Sequence, residues 1–139
     1  MATLSPAEPK ITLRQLSIAR AAPKGRWSIR WEIKNLGSDI LEIVSARLPH
    51  GQFKADEQQF TPPLELSEGG SEQFQTLVHC DEPTGLVSEN GFVMFHCQWR
   101  AEAWRIFVRI RVIVNAGGEP ETATELITTQ KVGFSEISS

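Results

Sequence analysis

Gly91-Phe-Val-Met-Phe-His-Cys-Gln-Trp-Arg-Ala-Glu-Ala-Trp-Arg-Ile-Phe-Val-Arg-Ile-Arg-Val-Ile-Val114 decides the fold of this 139-residue chain. It reads as two long alternating strands joined by a very short turn around Ala101-Glu102. With position 100 set against 103, the predicted cross-strand pairs are Trp99–Trp104, Cys97–Ile106, Phe95–Val108 and Val93–Ile110, all apolar. The opposite face pairs Gln98–Arg105, His96–Phe107, Met94–Arg109 and Phe92–Arg111. A period of two, with one uniform and one mixed face, predicts a half-buried antiparallel hairpin.

The same period extends outward. Ile11, Leu13, Leu16 and Ile18 mark a first strand, and the slip in phase after Leu13 predicts a bulge. Trp27, Ile29, Trp31 and Ile33 alternate strictly with polar residues. The turn Asn35–Asp39 offers Gly37 for a positive φ. Ile40 to Leu48 opens with a continuous apolar run that fits a central strand. Pro49–Gln59 reads as a polar connection, and Phe60–Leu66, broken by Pro62-Pro63, as a short edge strand at best. Phe74, Thr76, Val78 and Cys80 alternate along a fifth strand, Asp81–Asn90 reads as a loop, and Thr122–Phe134 as the last strand. No helical period occurs, and parallel strands would need crossovers for which there is no room. The expectation is an all-β, immunoglobulin-like antiparallel β-sandwich of seven to eight strands. Residues 10–134 would form this single domain, between a loose arm (1–9) and a tail (135–139).

Composition narrows the function classes. The chain is 40% hydrophobic and 22% charged, with net charge −3, which excludes a disordered chain and a whole-chain basic field for nucleic acid. No apolar run is long enough to span a bilayer, and the first residues lack the basic and apolar regions of a secretory signal. The expected compartment is the cytoplasm. If the strands bearing Cys80 and Cys97 lie side by side, the two residues are offset by roughly 16–20 Å. That exceeds the Cα separation of about 7 Å a disulfide allows, so two free, buried thiols are expected.

Trp31-Glu-Ile-Lys-Asn35-Leu-Gly37-Ser-Asp39 and Leu64-Glu-Leu66-Ser-Glu-Gly69-Gly-Ser-Glu-Gln-Phe74 resemble bacterial immunoglobulin-like modules. In those a strand ends in a pattern similar to Asn-x-Gly-Ser, and a later strand follows a Leu-x-x-Gly-type turn. The resemblance covers residues 11–80, and Ser67-Glu68 replaces the proline often found before the glycine. It implies an interaction or spacer domain, with no catalytic residues to carry over.

Few constellations suggest chemistry. His79-Cys80 and His96-Cys97 repeat a His-Cys dipeptide, but adjacent strand residues point to opposite faces, so each offers one metal ligand per face. No metal site and no cofactor are expected. His50, His79 and His96 are the available bases for a hydrolase-like site, and of these His50 lies in the loop Pro49-His50-Gly51, with nothing in the sequence that pairs it with an orienting carboxylate. Trp99 and Trp104 could form a carbohydrate platform if the hairpin tip protrudes, or else a core pair near its rim. The sharper feature is the outer hairpin face, where Phe92, Met94, His96, Arg105, Phe107, Arg109 and Arg111 gather. Its side chains could simply cover one another as a solvated face. Arginine, methionine and aromatic residues are also what protein interfaces favour. The sequence therefore points to a non-enzymatic interaction module that binds a protein partner through that face, and an acidic partner avoids the cost of bringing arginines together. No nucleic-acid or membrane partner is expected, and a homo-oligomer stays open. A carbohydrate-binding module using aromatic residues at a loop end is the alternative.

Overall fold

The computed structural model describes residues 8–49 and 51–132, with the side chain of Asn90 excepted. His50, the tail and most of the N-terminal arm lie outside the described residues, as do the last two positions of the expected final strand. The described chain forms eight strands: β1 (Ile11–Ala21), β2 (Arg26–Asn35), β3 (Leu41–Leu48), β4 (Ala55–Leu66), β5 (Ser71–His79), β6 (Val87–Trp99), β7 (Glu102–Val114) and β8 (Pro120–Lys131). They make two antiparallel sheets, ordered β1-β2-β5 and β4-β3-β6-β7-β8. The protein is an all-β sandwich, and the chain crosses between sheets from β2 to β3, β4 to β5 and β5 to β6.

Alternation explains which face each strand buries. Trp27, Ile29, Trp31 and Ile33 of β2 are all at most 3% exposed, and the residues between them face out. Against them the five-stranded sheet sets Leu41, Ile43, Val93, Phe95, Ile106, Val108 and Ile110, each fully buried. Phe74 joins the layers: its ring stacks on Trp31 at 6.4 Å and meets Phe95 edge-on at 5.8 Å. Burying one such side chain contributes about 1.5–3 kcal/mol. Two of the four indole donors are used, with Trp31 donating to the Thr76 hydroxyl and Trp27 to the Cys80 carbonyl, both at 2.8 Å, whereas Trp99 and Trp104 keep buried Nε1 atoms without a partner among the described residues. Phe53, assigned to a polar connection from sequence, is 2% exposed and packs edge-on to Trp31.

Asn35 is the buried polar hub at the end of β2. Its side-chain amide donates to the carbonyls of Asp39 (2.8 Å) and Leu66 (2.9 Å), and its oxygen accepts the Gly37 N–H. This corrects the expected role of Gly37, which is not among the positive-φ residues. The Asn35 side chain makes the turn in its place, as an Asx turn.

Two other expectations change, and the free, buried thiols are found in a different arrangement. β4 is a twelve-residue strand, not a short one. It is an edge strand, and its register jumps from Ile43↔Leu64 to Ser45↔Gln59, looping out the segment that holds Pro62-Pro63. β6 begins at Val87, inside the expected loop. β5 and β6 lie in different sheets, so Cys80 and Cys97 are not on neighbouring strands; both are free and buried.

The hairpin register also differs. The turn residues are Arg100 and Ala101, with φ of 52° and 61°, and Trp99 faces Glu102. Left-handed φ at both central residues is the two-residue hairpin geometry whose twist matches its strands. The pairs are Cys97↔Trp104, Phe95↔Ile106 and Val93↔Val108 on the inner face, and His96↔Arg105, Met94↔Phe107 and Phe92↔Arg109 on the outer. Each partner moves by two positions, so no side chain changes face.

Candidate functional site

Rows of the five-stranded sheet build the outer face. One runs Phe92–Arg109–Leu126 across β6, β7 and β8, another Arg47–Met94–Phe107–Thr128, and a third Ser45–His96–Arg105–Gln130. Six of the seven expected residues thus stand as three directly opposed pairs. Arg111 lies one row further, opposite Ala123 of β8, where a bulge between Ser88 and Gly91 interrupts the β6 ladder.

Exposure differs along these rows. Phe92, His96, Arg105, Phe107 and Arg109 are half-buried and Arg111 is exposed. Met94 is 5% exposed, which corrects its expected place on an open surface. It sits at the centre of the face, with Arg47 and Phe107 beside it across the strands and Phe92 and His96 flanking it along β6. Long stems and rings around a central thioether cover it. Leu126, 52% exposed, and the opposed pair Val87–Ile113, at 44% and 38%, extend the apolar part of the face. Sequence reasoning missed all three. Ile113 shares the phase of Arg111 and could have been found, whereas Val87 lay in an expected loop.

Cations and carboxylates share the face, with Glu121 of β8 opposite Ile113 and so diagonal to Arg111. Arg47, Arg105, Arg109 and Arg111 make no ion pair with a carboxylate among the described residues. Arg109 donates through Nε to the Glu89 carbonyl at 3.3 Å, and Arg105 Nε is buried without a partner among the described residues. Toward the sheet edge, Glu42 of β3 lies opposite Glu65 of β4. On the outer face of the three-stranded sheet, Arg14 is paired with Glu32 at 2.9 Å.

Beside His96 lies a shallow depression of about 300 Å³, lined by residues including Ser45, Glu57, Gln98 and Trp104. The Ser45 hydroxyl donates to Glu57 Oε2 at 2.9 Å. That serine proton is directed at the carboxylate and not at an imidazole, which is not the order of a nucleophile–base relay. Trp99 and Trp104 touch edge to face at 5.7 Å, on diagonal positions. They are 3% and 7% exposed, and the Arg100 guanidinium lies 4.2 Å over the Trp99 ring, so neither offers an open stacking face.

Burial pushes the Cys97 thiol up to about 12. Burial, reinforced by the charges of Glu82 and Asp81, pushes Cys80 up to about 11. Neither is poised as a nucleophile. Among the described residues no group of three or more His, Cys, Asp or Glu could hold a metal ion, and no helix is long and apolar enough to cross a membrane.

No protein-family model matches the chain, and no curated protein is significantly similar to it.

Proposed function

We propose that this chain is a non-enzymatic interaction module, immunoglobulin-like in kind, that binds a protein partner of acidic surface through the outer face of β6 and β7. The observation that carries this is the row Phe92–Arg109–Leu126, a guanidinium without a carboxylate partner among the described residues, set between two apolar side chains. Arg105 and Arg111 stand on the same side of β7, and Arg47 lies across the face. A desolvated arginine gains most from a carboxylate supplied by a partner, and aromatic or aliphatic neighbours exclude water around it. Opposite charge also steers the encounter.

A second reading rests on Glu42 and Glu65 at the other side of the same face. A second copy, turned so that these carboxylates meet the arginines, would also satisfy them. The experiment is affinity capture with the native chain and the Arg109→Glu/Arg111→Glu variant, followed by sedimentation of the native chain alone. A captured protein lost in the variant supports a heterologous partner, whereas a concentration-dependent dimer lost in the variant supports self-association. Binding that is unchanged in the variant removes this face from the function.

A further inference from the structure

A second group of basic side chains lies where the other sheet meets the segment leading into β4. Lys54 and His79 form an isolated antiparallel bridge, with Lys54 N–H donating to the His79 carbonyl (3.2 Å) and His79 N–H to the Lys54 carbonyl (2.8 Å). His79 is also in register with Arg26 of β2. Because His79 spends both backbone groups on Lys54, it faces Arg26 as a non-hydrogen-bonded pair, whose side chains approach more closely. Directly opposed residues share a face. Arg26, His79 and Lys54 therefore form one row across three strands, about 10 Å long at the usual strand spacing.

All three line a depression of about 410 Å³, whose walls include Leu48, Leu77 and Asp56. Among the described residues none of the three side chains makes an ion pair. Leu77 is 52% exposed, an apolar side chain left open beside the cations. Acidic groups ring the row: Asp56 lines this depression, and Asp81 and Glu82 line its neighbour on the far side of Lys54 and His79.

We infer that this row is a binding site for a small oligophosphate. Arginine grips phosphate oxygens with a fork of parallel donors, lysine adds a point charge, and the imidazole between them adds a ring N–H. The row is long enough to hold two linked phosphates, and the volume falls in the range of small-molecule sites. Asp56, Asp81 and Glu82 decide the source. A flat anionic membrane would press against those carboxylates as well as the cations, whereas a compact anion in the depression meets the three donors first.

The test is a titration with pyrophosphate at constant ionic strength, followed through backbone amide shifts. The expected result is saturable shifts at Arg26, Lys54, Leu77 and His79, with a Kd at or below about 1 mM, equivalent to about 4 kcal/mol. Arg26→Gln and Lys54→Gln each weaken binding at least tenfold, and His79→Gln weakens it less. Lys34→Gln, an exposed lysine at the other end of β2, leaves it unchanged. Lys54 and His79 are exposed, so their variants report on binding even if Arg26→Gln unfolds. Shifts that grow linearly without saturating, or an equal loss in Lys34→Gln, would overturn the site. So would co-sedimentation with polyphosphoinositide vesicles in the absence of pyrophosphate binding.

Discussion

Gln15 accepts the backbone N–H of Thr122 at 2.7 Å and donates to the Pro120 carbonyl at 3.1 Å. Its side-chain amide thus plays the part of a neighbouring strand for the start of β8. It can do so because β1 shifts register between Gln15 and Ser17, the bulge expected after Leu13. Thr124 returns the favour by donating to the Leu13 carbonyl, and Arg20 bonds the Gly117 carbonyl. The open side of the sandwich is closed by side chains, and part of an otherwise free strand edge is covered.

Gln15→Ala should therefore cost about 1–3 kcal/mol, since it strands a part-buried donor and acceptor together. Denaturant unfolding measures the loss. An unchanged midpoint would mean that water satisfies Thr122 and Pro120 equally well.

The face assignment gives a second expectation. Trp31→Ala and Phe95→Ala should each destabilise by about 3–5 kcal/mol, as large-to-small core changes do. Arg109→Ala should cost about 0.5 kcal/mol or less, as a surface position does. Thermal melts of the three variants separate the cases, and equal losses would contradict the faces described.

At the hairpin tip, Ala101 holds φ at 61°, a conformation that costs an L-residue roughly 1–2 kcal/mol. Ala101→Gly should stabilise the protein by about 1 kcal/mol. Arg100 is better left alone, because it pairs with Asp39 at 2.6 Å and covers Trp99. A melting temperature that stays level or falls for Ala101→Gly would contradict the turn geometry.

The buried thiols make stability fall at high pH. An unfolded chain releases their protons near pH 9.0, whereas the folded protein holds Cys80 to about 11 and Cys97 to about 12. A raised folded-state value contributes stability that is present below the unfolded value and lost as pH rises through the folded one. Unfolding midpoints should decline from pH 9 upward, and Cys97→Ala should flatten that slope. In native protein at pH 8 both thiols should react slowly with a disulfide reagent, and rapidly once denatured.

What the sequence made legible follows from where the pairing is local. β2 and the hairpin alternate strictly, so their faces could be read. A two-position register error left those faces intact because the side-chain period is two. The error arose at Arg100-Ala101, which carries neither the glycine nor the asparagine that marks such turns. β4 was hidden because an edge strand with Pro62-Pro63 has no alternation to show. The burial of Met94 depends partly on Arg47, which β3 brings from far along the chain, and no local pattern encodes that. The cation row has the same origin: Arg26, Lys54 and His79 are distant in sequence and meet only through the packing of β2, β5 and the start of the β4 segment.

In the proposed function the outer face of β6 and β7 is the working surface. The most direct measurement compares capture by native protein, by Arg109→Glu/Arg111→Glu and by Arg14→Glu on the opposite sheet, with melting temperatures recorded for all three. Arg105 is omitted because its buried Nε ties it to folding as well as to the surface. The double variant is expected to lose its partner while melting close to the native temperature, and Arg14→Glu to keep the partner. Retention of the same partner by the double variant would contradict the proposed function.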